Sequence, residues 1–286
     1  MKKNKGWALI LSGGGARGFA HIGFLDKLLE AGFPEPSLIA GTSMGAIVGG
    51  LYACGMQTGE LRRFVRDEFK ISDYLDSFAF KLDGPVGQIM QTGQVLASIA
   101  TKPGMDKGQR ALDLFESFTG GKSFEETIIP FRCNALDLIS GKEVILKSGS
   151  VAKAIRASMS FPLFFEPFLM EDMYLVDGGL IDNMPIKIAE DEGYTNILAL
   201  NVNRFTEVSL KNLRGGPQII YRSIECSLGL RDEKKPSKNT LTLDLSDDAT
   251  PFSFYRKNDF IKLGERAVEE NMKKLENFLK PFKHGK

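Results

Sequence analysis

Histidine is nearly missing from this chain: among its 286 residues there are two, His21 and His284. Chemistry that relies on an imidazole base therefore has only those candidates. Net charge is missing too, since 37 Lys plus Arg stand against 36 Asp plus Glu, a formal +1. That balance gives no electrostatic case for a nucleic-acid partner, which needs clustered positive charge. Cysteine is scarce and odd in number, and Cys54, Cys133 and Cys226 lie far apart in apolar runs. Neither a disulfide framework nor zinc-ligand spacing follows, so the cysteines read as reduced residues of a cytosolic-type protein. A long hydrophobic run is also lacking at the start: Trp7 to Leu11 is five residues ending before three glycines, a buried strand rather than a signal segment. The 24 uncharged residues Pro36 to Gly59 are long enough to cross a bilayer, but they hold six glycines, and a strand, a tight turn and a buried helix explain them better. Gly45 and Gly49 would give that helix a flat face for close approach to a sheet.

What is present is alternation. Strand-like apolar runs occur at Trp7 to Leu11, Leu38 to Gly41, Pro130 to Leu136, Glu143 to Leu146, Tyr174 to Val176, Asn196 to Asn201 and Thr240 to Leu243. Between them lie amphipathic stretches of helix length, including Phe19 to Ala31, Gly59 to Phe69, Lys107 to Phe118 and a C-terminal helix at about 259–280. Such alternation predicts a three-layer α/β/α fold with a mostly parallel central sheet, in one domain over residues 1–286. Residues 71–124 break the pattern and read as a helix and loop insertion, placed to act as a lid or binding wall. The acidic trio Asp244, Asp247 and Asp248 lacks a calcium-loop pattern and reads as a solvated turn.

Chemistry is concentrated in three glycine-bearing motifs. Gly13-Gly14-Gly15-Ala16-Arg17-Gly18 follows the first strand and opens the first helix. It satisfies G-x-G-x-x-G, which suits a dinucleotide pyrophosphate, but the second strand then ends in Gly41-Thr42-Ser43 where an acidic ribose ligand would be required. Backbone N–H groups and a helix dipole aimed at one point also suit a transient oxyanion. Gly41-Thr42-Ser43-Met44-Gly45 is G-x-S-x-G between a strand and a helix, the setting of a nucleophile elbow. Asp177-Gly178-Gly179 ends a third strand, where a carboxylate would share the rim of a parallel sheet with Ser43.

Ser43 needs a base. His21 falls early in the first helix and reads as a packed residue, while His284 is third from the end. The order Ser43, Asp177, His284 does match an α/β-hydrolase triad, although such an elbow normally follows several strands. Asp177 is the favoured partner, forming a dyad. Nearby acids have duller readings: Asp182-Asn183 before Met184-Pro185 as a helix start, Glu171-Asp172 as a turn.

The ordered set of three motifs resembles the patatin-like phospholipase family in its compact bacterial form. The stretch Ala154-Ile155-Arg156-Ala157-Ser158-Met159-Ser160-Phe161-Pro162 is similar to that family as well, and the resemblance runs from about Trp7 to Val202. It implies a lipid acyl hydrolase with Ser43 as nucleophile, Asp177 as proton acceptor and the loop Gly13 to Gly18 as oxyanion hole. A lipid or ester substrate and transient contact with a membrane surface are the partners it implies, with no cofactor and no metal. Arg17 has two readings, a ligand for a substrate phosphate or a carboxylate-paired brace for the loop. The Phe-rich segment Phe161 to Met170 reads as packing, with Phe78 to Phe80 and Val86 to Met90 leaning toward a lipid-facing lid. Two other functions stay open beside the hydrolase: a Rossmann-type nucleotide-binding protein and a catalytically weak lipid-binding module.

Overall fold

The computed structural model describes residues 5–73, 104, 106–162, 164–205, 207–210, 213, 216–229 and 239–282. His284, most of the expected insertion, including 78–80 and 86–90, and residues 231–238 lie outside them. The strand β1 (Ala8–Leu11) leads through the glycine loop into the helix α1 (Phe19–Glu30), and β2 (Leu38–Gly41) turns directly into α2 (Met44–Ala53). After α3 (Thr58–Arg63), α4 (Gln109–Thr119) closes the interrupting stretch. A hairpin of β3 (Phe131–Asp137) and β4 (Lys142–Leu146) is followed by α5 (Val151–Ser158) and a second hairpin, β5 (Phe168–Met170) and β6 (Met173–Asp177). The chain continues through α6 (Ile186–Asp191), β7 (Ile197–Asn201), α7 (Gly216–Gly229), β8 (Thr240–Asp244), α8 (Lys257–Glu270) and α9 (Met272–Leu279).

These strands form one mixed sheet. β1 pairs in parallel with β2 and β7, β2 with β3, and β7 with β8, whereas β3–β4, β3–β6 and β5–β6 are antiparallel. Period-two alternation divides the side chains between two faces. Leu9, Leu11, Ile39, Leu198 and Leu200 face the larger core under α1, α2, α5 and α8, while Ala8, Ile10, Leu38, Ala40, Ile197 and Ala199 face a smaller one containing Ile188 and Ala189 of α6. Helices therefore cover both faces, as the alternation predicts.

The strand carrying Asp177 departs from expectation, because it is antiparallel rather than one of a parallel row. Pro130, just before β3, accepts from Ile39 N–H of β2, and Leu138, just after β3, donates to the Tyr174 carbonyl of β6, both at 2.9 Å. Residues an even number apart direct their backbone polar groups to the same strand edge. β2 and β6 thus share one edge of β3 end to end, β2 opposite Phe131 to Cys133 and β6 opposite Ala135 to Asp137. β4 takes the opposite edge, where Asp137 O accepts from Gly141 N–H. The C-terminal ends of β2 and β6 therefore point at each other, and the residues following Gly41 meet Asp177.

Two local expectations are also corrected. The C-terminal helix is two helices broken at Asn271, whose Nδ2 donates to Ala267 O at 2.9 Å beside its own backbone N–H. Asp182-Asn183 is not the cap of α6, which starts at Ile186 after Pro185; Asp182 closes a local turn by accepting from Met184 N–H. Glu171-Asp172 is the expected turn, joining β5 to β6. Among the described residues no helix is long and apolar enough to cross a membrane.

Candidate active site

The 41–45 segment makes the sharp turn its glycines permit. Gly45 lies so close to β1 that a methyl there would overlap the Leu11 carbonyl, and one at Gly41 would overlap the Gly45 carbonyl. Packing α2 this tightly onto β1 and β2 leaves one residue to reverse the chain. Ser43 does so at φ 53°, ψ −119°, a positive φ that costs a non-glycine residue on the order of 1–3 kcal/mol. Its side chain is partly exposed at the N-terminus of α2. Thr42 and Met44 on either side are buried; Thr42 Oγ1 donates to Asn134 Oδ1 at 2.7 Å.

Asp177 meets this serine across the β2–β6 junction. Ser43 Oγ donates to Asp177 Oδ2 at 2.6 Å, and Gly179 N–H donates to Asp177 Oδ1 at 2.7 Å. Asp177 is only 2% exposed. Burial pushes its pKa up to about 6, partly offset by these two hydrogen bonds, which favour the anion. Gly178 passes so close to Asn134 that a side chain there would overlap the amide.

The glycine loop lies against Ser43. A β-carbon at Gly13 would be 3.2 Å from Ser43 Cβ and 2.5 Å from Asn183 Oδ1, so the backbone itself is the contact surface. Asn183 clamps the loop from both sides, with Gly13 N–H donating to Asn183 O and Asn183 Nδ2 to Gly13 O, each at 3.1 Å. Gly15 takes φ 57° because Ala16 N–H reaches Pro251 O at 2.7 Å, and Gly18 leaves room only for Met44. Gly14 and Gly15 donate their N–H groups to no protein acceptor among the described residues. Arg17 is buried; its guanidinium bonds Gly14 O at 3.4 Å and Asn203 Oδ1, with Glu225 at 4.0 Å. One donor, Nε, thus reaches the loop, and Nη2 faces Asn203 and Glu225 outside it.

His21 joins none of this. It is wholly buried, its Nε2 lies 2.9 Å from Ser12 O, and Nδ1 has no partner. Burial holds its pKa down to about 4 against that hydrogen bond, so it stays neutral with Nε2–H as donor. Phe164, from the Phe-rich segment, is buried and stacks on Phe252 at 4.7 Å. Asp247 pairs with Arg256 at 2.8 Å, and no acidic or His/Cys cluster among the described residues is arranged for a metal.

Some residues at the site had no recognised role in the sequence. Asn134 joins β3 to Thr42 and to Asp182, whose carbonyl accepts from Asn134 Nδ2 at 2.8 Å. Ser158 Oγ accepts from Ser43 N–H at 3.0 Å. Ser158 stands in the family-like run Ala154 to Pro162 and Asn183 in the segment read as a helix start, while Asn134 carries no signal that a single sequence displays.

Fold and site together define a mixed α/β protein with a serine on a strand-to-helix elbow, bonded directly to a carboxylate. A sequence model of the patatin-like phospholipase family matches residues 9–190, and the chain belongs to that family. An uncharacterised NTE family protein of Mycobacterium tuberculosis is 31% identical over 210 residues, 73% of this chain and 50% of that protein. The lysophospholipase nte1 of Emericella nidulans is 33% identical over 198 residues, 68% of this chain and 12% of that enzyme. The chain thus spans half or less of the length of these relatives. Among solved structures, VipD from Legionella pneumophila shares the fold at TM-score 0.53 and 15% identity, over 94% of this chain and 67% of that one.

Proposed function

We propose that this chain is a serine-dependent lipid acyl hydrolase, of phospholipase A, lysophospholipase or carboxylesterase type, working through a Ser43–Asp177 dyad. The observation that carries the reading is the 2.6 Å hydrogen bond from the strained Ser43 to a buried carboxylate whose pKa is raised to about 6. An ordinary aspartate, near 4, is a feeble base at neutral pH; raising its pKa strengthens it while leaving it ionised there. As Ser43 Oγ bonds to the ester carbonyl carbon, its proton passes to Asp177 Oδ2. The developing oxyanion is held by the unengaged N–H groups of Gly14 and Gly15, beside the positive end of α2. Collapse expels the alcohol, which takes the proton from Asp177. Water then attacks the acyl-enzyme and gives a proton to Asp177; the bond from Ser43 Oγ to the acyl carbon breaks, Ser43 Oγ takes that proton back, and the acid leaves.

The family supports a lipid as the acyl donor. Leu138, Ile139 and Leu169 are 50%, 70% and 67% exposed at the far end of β3 and β5, suited to transient contact with a lipid surface. The nucleotide-binding alternative is disfavoured by the loop itself, since Gly13 and Ala16 spend their N–H groups on Asn183 and Pro251.

A panel of p-nitrophenyl esters, lysophospholipids and phospholipids tests the reading. Native protein should hydrolyse members of the panel, Ser43→Ala and Asp177→Asn should each lose roughly 10³-fold or more, and His284→Ala should remain active. No hydrolysis by the native protein, or undiminished hydrolysis by Ser43→Ala, would refute it.

A further inference from the structure

The two reacting side chains come from strands remote in sequence, yet both are tied to one three-residue turn at the end of α5. Ser158 Oγ accepts from Ser43 N–H at 3.0 Å, and Ser160 O accepts from Asp177 N–H at 3.1 Å. The turn is itself fixed. Met159 N–H bonds Ile155 O at 3.0 Å, Ser160 N–H bonds Ala157 O at 3.1 Å, and Ser160 Oγ donates to Arg156 O at 2.7 Å while accepting from Arg156 Nη1. Arg156 is buried beneath it, its guanidinium also bonding the carbonyls of Lys107, Gly108 and Glu166 and lying over the Phe165 ring at 5.2 Å.

We infer that the Ser158–Ser160 turn is a positioning device for catalysis, with Ser158 as the residue that holds the nucleophile in its strained conformation. The inference rests on the Ser43–Asp177 dyad reading. Ser43 can keep a positive φ only while its surroundings oppose relaxation, and its own oxygen is committed to Asp177. The glycine packing forces the reversal and Ile47 N–H holds the Ser43 carbonyl at 3.0 Å, which leaves the Ser43 N–H, and Ser158 takes it. Because Ser160 fixes the backbone of Asp177 two residues further on, the turn acts as a ruler between nucleophile and base. Removing the Ser158 hydroxyl leaves the Ser43 N–H without its acceptor and frees the elbow to relax, so the oxygen loses its aim before the base loses its basicity.

The test is the rate of Ser43 phosphonylation by a fluorophosphonate, with ester kinetics beside it, on native protein, Ser43→Ala, Ser158→Ala, Ser158→Cys and Ser150→Ala. Ser150 caps the other end of α5 by accepting from Lys153 N–H at 3.3 Å, so its variant weakens the same helix without touching the dyad. Ser158→Ala should label about tenfold more slowly than native, with kcat falling, KM kept and the pH midpoint unmoved, while Ser150→Ala labels at the native rate. Ser158→Cys keeps the volume with a weak acceptor and should fall between; it decides the matter if Ser158→Ala does not fold. Native-rate labelling of either Ser158 variant overturns the inference. A native protein that does not label, or labelling of Ser43→Ala equal to native, sinks the dyad reading and this inference with it.

Discussion

Two buried titratable residues pull the stability of this protein in opposite directions with pH. Asp177 holds its proton more tightly in the folded chain, at about 6, than at its ordinary value of 3.8. Folded protein therefore carries more protons between those values, and stability from this group is lost as pH rises through them. His21 does the reverse: with its pKa at about 4 instead of 6.5, the unfolded chain takes up the proton first, and stability is lost as pH falls through that window. Each effect amounts to about 3 kcal/mol at about 1.4 kcal/mol per pKa unit, so from pH 6 to pH 4 they largely cancel. Asp177→Asn should unmask this. At pH 7.5 the variant should melt several degrees above native, and acidification to pH 5 should lower its midpoint more steeply than that of the native protein, both read by thermal denaturation. A variant less stable than native at pH 7.5 would mean that the carboxylate is held by more than its two hydrogen bonds.

At the level of elements, two close approaches place the site, and they differ in how visible they are in the sequence. The elbow is visible: G-x-S-x-G between an apolar strand and a glycine-bearing helix requires the packing that Gly41 and Gly45 show. Sharing of one β3 edge by β2 and β6 is not, because strand direction follows from tertiary pairing, and Tyr174 to Val176 reads the same either way. Asp177 was identifiable from its motif, but the route by which it reaches Ser43 was not. The second approach joins α1 to α8. Methyl groups at Gly23 and Gly264 would overlap the carbonyls of Ile261 and Ala20, so the two helices touch through backbone. Gly264→Ala would gain up to about 1 kcal/mol in helix propensity, but it must push two helix backbones apart, which typically costs roughly 1–3 kcal/mol. A net loss of stability in urea denaturation is expected, and unchanged or raised stability would show that α8 is free to shift.

Across the whole molecule, the scarcity of histidine becomes a statement about mechanism. His21 is spent on the Ser12 carbonyl inside the core, and the group hydrogen-bonded to Ser43 Oγ is a carboxylate brought in by a strand of opposite direction. The fold class and the paired residues were legible because glycine spacing and apolar alternation are local signals. The particular contacts of Asn134, Ser158 and Asn183 were not, because such polar residues meet their partners only when the sheet brings them together. The most direct test is the pH dependence of Ser43 labelling by a fluorophosphonate, located by peptide mass spectrometry, in native protein, Asp177→Asn and His284→Ala. A Ser43–Asp177 dyad requires the native rate to rise with pH through a midpoint at about 6, the same profile in His284→Ala, and a slow rate without that midpoint in Asp177→Asn. Loss of labelling in His284→Ala with Asp177→Asn unaffected would contradict it.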